Sequence, residues 1–160
     1  IDEGLVGSEM CIRDRYKDPK FDSQVVGRLI SKVMKDGKRS LAERIVYAAI
    51  DRANEGTDTI DPLEIVNRAI ENAKPRVEVK SRRVGGATYQ VPLEVDSNRS
   101  ESLGMRWIIT FARAKKGTPM HVALANEIKD AANNTGNSVR KRDDVHKMAQ
   151  ANRAFAHFRF

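Results

Sequence analysis

The sequence predicts a mainly α protein: a six-helix bundle with one protruding β-hairpin arm between helices three and four. Three observations predict it. Apolar residues recur at helical spacing through six segments. The period switches to strict alternation once, between residues 76 and 95. Two adjacent glycines, Gly85 and Gly86, interrupt that stretch where a tight turn needs positive φ.

The first predicted helix runs from about Asp22 to Lys35. Val25, Val26, Leu29, Ile30, Val33 and Met34 make its apolar stripe, and Arg28, Lys32 and Lys35 a basic one. Gly37 reads as its C-cap, with Lys38 and Arg39 in the turn. The second helix spans about Ser40 to Glu55, with Leu41, Ile45, Val46, Ala49, Ile50 and Ala53 inward. The third opens on a capping box, Asp61 with Glu64, and a first-position proline, Pro62. Leu63, Val66, Ala69, Ile70 and Ala73 form its core face. It ends before Pro75, because the residue preceding proline avoids the α region.

Alternation in Arg76-Val77-Glu78-Val79-Lys80, and again at Tyr89, Val91, Leu93 and Val95, gives two half-exposed strands. Pro92 lacks a ladder donor, so the ribbon has an edge. A lone two-stranded ribbon is marginal in water, which predicts a mobile arm in the free protein.

The fourth helix starts near Asn98, as cap, with Leu103, Trp107, Phe111 and Ala114 as its stripe, and closes at Gly117. Thr118 and Pro119 read as cap and first position of the fifth, lined by Met120, Ala123, Leu124, Ile128 and Ala131. Asn133, Asn134, Thr135 and Gly136 form a turn. The sixth runs from about Val139, through Val145, Met148 and Ala149, to near Arg153.

Residues 1–15 differ from the rest. They carry Asp2, Glu3, Glu9 and Asp14 against Arg13 and Arg15, on a chain of net charge +7. They read as a foreign or disordered segment, and residues 16–160 as a single domain. The lone Cys11 can make neither an internal disulfide nor a four-ligand metal site.

The excess of 29 Lys+Arg over 22 Asp+Glu points to a polyanionic partner. No apolar run approaches the roughly 20 residues that cross a bilayer, and residues 1–15 lack a signal peptide's basic start and apolar stretch. The expectation is a cytoplasmic, nucleic-acid-binding protein with no membrane partner. Catalysis finds little support: His121, His146 and His157 fall on different elements, without metal spacing, phosphate loop or nucleophile elbow. No cofactor or metal is implied.

The positive charge is clustered. Arg28, Lys32, Lys35, Lys38 and Arg39 form one group, Lys74, Arg76, Lys80, Arg82 and Arg83 a second, and Arg140, Lys141, Arg142, Lys147, Arg153 and Arg159 a third. Arginine's planar fork suits phosphate. Arg76, Lys80 and Arg82 are spaced for one face of a ribbon. Phe155, Phe158, Arg159 and Phe160 alternate aromatic with basic character, and can stack on unpaired bases. The blander readings are a solvated helix stripe, edge protection by Arg82-Arg83, and terminal phenylalanines packed on the protein itself.

Several runs carry a resemblance: Asp18-Pro19-Lys20-Phe21, Asp36-Gly37-Lys38-Arg39-Ser40, Ala42-Glu43-Arg44-Ile45-Val46-Tyr47, Met105-Arg106-Trp107, Leu124-Ala125-Asn126-Glu127, Lys141 to Ala149, and Ala154 to His157. With the long hairpin run Lys74 to Pro92, they resemble the bacterial small-subunit ribosomal protein seven family from about Tyr16 to Phe160. The resemblance implies a structural constituent of the small ribosomal subunit. Such a protein binds the 3′ domain of its rRNA directly, nucleates head assembly, and lies near the E-site tRNA and the mRNA exit, with small-subunit proteins nine and eleven as neighbours. It implies rRNA contacts for Lys35, Lys38, Arg39, Arg76, Met120, Arg140, Lys141, Arg142 and Lys147, and the basic stripe of the first helix adds Arg28 and Lys32 to the expected rRNA contacts. It also implies an arm facing tRNA and mRNA through Lys80, Arg82, Arg83, Gly85 and Gly86, and a tail of Phe155, Phe158, Arg159 and Phe160. The family's basic N-terminal arm is replaced here by the acidic residues 1–15.

The rival readings are an architectural DNA-binding protein and a nucleic-acid-processing enzyme. The first favours an apolar wedge at the arm tip, where this chain has Arg-Arg-Val-Gly-Gly. The second needs clustered carboxylates, and Asp143 and Asp144, adjacent on a helix, point apart.

Overall fold

The computed structural model describes residues 17–56 and 61–158. The segment 1–15, with Cys11, and the terminal Arg159 and Phe160 lie outside them. Six α-helices are described: α1 (Gln24–Val33), α2 (Arg39–Asn54), α3 (Pro62–Ala73), α4 (Ser97–Ala114), α5 (Met120–Ala132) and α6 (Gly136–Ala151). Strands β1 (Val77–Val84) and β2 (Ala87–Glu94) stand between α3 and α4, and a 3-10 turn, Arg153–Phe158, follows α6. This is the predicted architecture, mainly α with one hairpin inserted between the third and fourth helices. The chain forms two compact units, one through Ala48 and one from Ala49 onward.

In the first unit, α1 is shorter than its pattern predicts. Ser23 caps it, accepting from the Val26 N–H, and it ends at Val33. Met34 leaves the α region with ψ 135°, and the turn into α2 then uses two left-handed residues, Asp36 and Gly37. Gly37 therefore belongs to that turn and is not the helix cap. Ahead of α1, the buried Asp18 accepts from the N–H groups of Lys20 and Phe21 and from the Tyr47 hydroxyl. One carboxylate thus closes the entry turn and ties it to α2.

The second unit is built on α5. Helices α3, α4 and α6 all pack against it, burying Ala123, Leu124, Ile128 and Ala131. Asp61 caps α3 as predicted, accepting from the Leu63 N–H at 2.9 Å. The cap of α4 is Asp96, not Asn98: its carboxylate accepts the Asn98 N–H at 3.2 Å, so the helix begins at Ser97. Pro119, not Thr118, occupies the cap of α5, and no side chain caps that end.

The buried face of α4 is Ser100, Gly104, Met105, Ile108, Ile109 and Ala112. The predicted stripe of Leu103, Trp107 and Phe111 is only half-buried, and Ala114 is exposed. Gly104 explains the rotation. A Cβ there would lie 3.2 Å from the Lys74 nitrogen and 3.3 Å from its Cα, tighter than an ordinary contact, so glycine eases the close approach of α4 to the end of α3. Similarly, Ala42 is buried where Leu41 was expected to be, and Leu41 is exposed.

Candidate nucleic-acid interface

The arm starts from its turn. Gly85 and Gly86 have φ of 57° and 87°, the paired left-handed conformations of a two-residue type I′ turn. That turn's twist matches the strands, so pairing runs unbroken from Val84↔Ala87 to Val77↔Glu94. The strands are longer than the alternation alone indicates, and Arg82 and Arg83 lie within β1.

Directly opposed residues of an antiparallel pair share a face. One face therefore holds Glu78, Lys80, Arg82 and Val84 with Leu93, Val91, Tyr89 and Ala87. The other holds Val77, Val79, Ser81 and Arg83 with Glu94, Pro92, Gln90 and Thr88. Val91 is fully buried, so the first face is the docked one. The adjacent arginines consequently point to opposite sides. Arg83 is exposed, without a charged partner among the described residues, whereas the half-buried Arg82 donates from Nη1 to the Phe158 carbonyl.

Two interactions fix the root. Glu78 and Arg99 of α4 form a two-pronged pair at 2.8 and 2.9 Å. The Arg99 hydrogen bonds hold the Glu78 carboxyl below its ordinary range, against the opposing effect of burial. The Arg76 N–H donates to Nε2 of His146 on α6 at 3.0 Å, so that nitrogen carries no proton. Burial lowers the His146 pKa, Arg142 and Arg76 push the same way, and Asp143 opposes them. The ribbon is thus not alone. Among the described residues it packs on α6 and on the 3-10 turn.

On α6, Arg140, Lys141 and Lys147 are exposed. Arg142 is not equivalent to them. It donates to the Asn72 carbonyl and to Asn134, and pairs with Asp143 at 2.7 Å, so it links α6 to α3 and to the turn after α5. Lys74, Arg76, Arg142 and His146 line one cleft with Glu71 and Asp143. In the first unit, Lys35 and Lys38 are exposed, Arg28 and Lys32 are half-buried, and Arg39 pairs with Glu43 at 3.0 Å. Met120 is half-buried at the first position of α5, and Gly85 and Gly86 form the arm's exposed tip.

Phe155 and Phe158 pack on the protein. Tyr89 stacks on Phe158 with ring centroids 5.0 Å apart, and tilts onto Phe155 at 5.2 Å. The signal for this contact was present in the alternation of Tyr89 with Val91 and Leu93, which puts Tyr89 on the buried face. Sequence reasoning named Glu127 only within a run of the resemblance and missed its buried bridging role. Only 1% exposed, it pairs with Lys115 at 3.0 Å and accepts from the Ser138 hydroxyl at 3.1 Å. Its helical position beside Leu124 and Ile128 was the available clue. Among the described residues no cluster of His, Cys, Asp and Glu could hold a metal ion, and no helix is long and apolar enough to cross a membrane.

The family model described as Ribosomal protein S7p/S5e matches residues 8–153. The chain is 82% identical over 144 residues to the small ribosomal subunit protein uS7 of Akkermansia muciniphila, which covers 90% of this chain and 92% of that protein. It is 55% identical over 148 residues to the uS7 of Mycobacteroides abscessus, and 54% over 148 to that of Mycolicibacterium vanbaalenii. Each of these matches covers 92% of this chain and 94% of the relative.

Proposed function

The chain belongs to the ribosomal protein S7p/S5e family, and we propose that it binds the 3′ domain of small-subunit rRNA directly and nucleates assembly of the subunit head. Membership makes it a structural, non-enzymatic constituent of the small ribosomal subunit, working in translation in the cytoplasmic ribosome. Beyond that, residues 16–160 act as one rRNA-binding domain. The arm and the C-terminal segment face the E-site tRNA and the exiting mRNA. Small-subunit proteins nine and eleven are its protein neighbours.

One observation carries this reading. Exposed cations occur on two elements that pack together: Lys80 and Arg83 on the arm, and Arg140, Lys141 and Lys147 on α6. Arg76 stands where the two elements join. Cations left in water can each displace a counterion from a phosphate, and the entropy of that release supplies a large share of the affinity for a polyanion. Lys35 and Lys38 supply further phosphate contacts from the first unit.

The test is a binding titration of the protein from residue 16 onward, over a range of salt, against the rRNA 3′ domain and a DNA duplex of equal length. The expected result is a preference for the rRNA on the order of a thousandfold. The triple substitution Arg140→Ala, Lys141→Ala, Lys147→Ala should reduce the salt slope by about 2–3. Equal affinities and equal slopes for RNA and duplex would leave only a general polyanion binder.

A further inference from the structure

Arg82 and Tyr89 are direct partners across the hairpin, on its docked face. Both reach the same residue. Tyr89 stacks on the Phe158 ring at 5.0 Å, with 29° between the planes, while Arg82 donates to the Phe158 carbonyl. Phe155 closes the cluster, 5.2 Å from Tyr89 and 6.4 Å from Phe158. The 3-10 turn that presents both phenylalanines follows directly on α6 and is itself fastened by the Phe155 N–H to the Asn152 carbonyl. One strand pair therefore grips one residue at two points, ring and backbone. Arg83, paired with Thr88 on the opposite face, takes no part.

We propose that Arg82 and Tyr89 are positioning residues: with Phe158 they form a clamp that sets the arm's angle to α6, leaving Arg83 as the member of the arginine pair that meets the polyanion. A guanidinium already donating to a carbonyl at a half-buried site has less capacity left for phosphate than one standing in water. Aromatic pairs beyond the ribbon's own ladder supply what a two-stranded hairpin lacks. The C-terminal turn thereby becomes a determinant of arm order, although it is remote in sequence from the hairpin. Only the Arg83 half rests on the RNA-binding reading above; the clamp stands or falls without RNA.

Amide hydrogen exchange on the full chain without RNA tests the clamp. Tyr89→Ala and Phe158→Ala should each lower protection across Val77–Glu94 several-fold, up to about tenfold, with the helices unchanged. Tyr89→Phe should retain wild-type protection, because the ring is kept. Arg82→Ala should lower it as well, whereas Arg83→Ala should not. Titrations against the rRNA 3′ domain test the division of labour. Arg83→Ala should reduce the salt slope by about one, and Arg82→Ala should weaken binding with the slope unchanged. Unaltered hairpin protection in both Tyr89→Ala and Phe158→Ala would overturn the clamp. A slope reduction in Arg82→Ala matching that of Arg83→Ala, with protection intact, would make Arg82 a phosphate contact. Absence of any rRNA binding by the wild type would count against the proposed function, and the exchange data would still decide the clamp.

Discussion

His146 shows how one side chain ties a hairpin to a helix and makes the tie depend on pH. Its Nε2 accepts the Arg76 N–H, which only a ring unprotonated at that nitrogen can do. Its pKa is lowered from the ordinary 6.5, first by burial and then by Arg142 and Arg76, with Asp143 opposing. Below 6.5 the unfolded chain therefore binds a proton more readily than the folded one. The histidine's stabilising contribution is complete above that value and declines as pH falls toward the lowered, folded-state pKa. Urea unfolding between about pH 4.5 and 7.5 should show the wild type losing stability toward acid more steeply than His146→Asn. Parallel pH curves for the two proteins would show that the ring's titration is not linked to folding. The sequence offered His146 only as a failed catalytic candidate, because its acceptor role depends on a backbone donor 70 positions away.

Among the elements, α4 and the hairpin were legible to different depths. The Gly85-Gly86 pair specified a two-residue turn, and the turn in turn fixed the register of the strands. Alternation then assigned Tyr89 and Val91 to one face, but not what that face would meet. The helical period of α4 was plain, yet its buried face was read about one position out. Aromatic size drew the reading to Trp107 and Phe111, whereas contact is governed by Gly104 against the Lys74 backbone. Gly104→Val should destabilise the protein by about 2 kcal/mol, since backbone cannot move aside as a flexible side chain can. Gly104→Ala should cost less, because the gain in helix propensity offsets part of the crowding. A Val variant with wild-type melting behaviour would mean that α3 and α4 separate freely.

At the scale of the whole molecule, the buried Glu127 ties three helices of the second unit together. It joins the end of α4 through Lys115 to the start of α6 through Ser138, from within the buried face of α5. Removing one partner of a buried pair costs more than the pair's own net contribution, because the other is left unsatisfied. Lys115 is 31% exposed, so water recovers part of that loss. Glu127→Ala should therefore lower global stability by about 2 kcal/mol. Glu127→Gln, which keeps a partner for Ser138, should fall between the two in denaturant unfolding. The net charge of +7 acts at this scale too, drawing the protein toward a polyanion before any particular contact forms.

The sequence by itself determined the helical class, the single hairpin and its turn, the excess positive charge and, through the hairpin run, the family. These properties are local or additive: periodicity, turn chemistry and charge need no knowledge of what lies opposite. Tertiary structure alone decided which cations stay in water. Arg82 and Arg83 are neighbours with identical side chains, as are Lys141 and Arg142 with like charge, yet one of each pair is engaged by a distant backbone carbonyl. Phe158 and Asn72, which supply those carbonyls, lie 76 and 70 positions away, so no local pattern encodes them. Burial, which sets what a hydrogen bond or a charge is worth, exists only once the chain has folded.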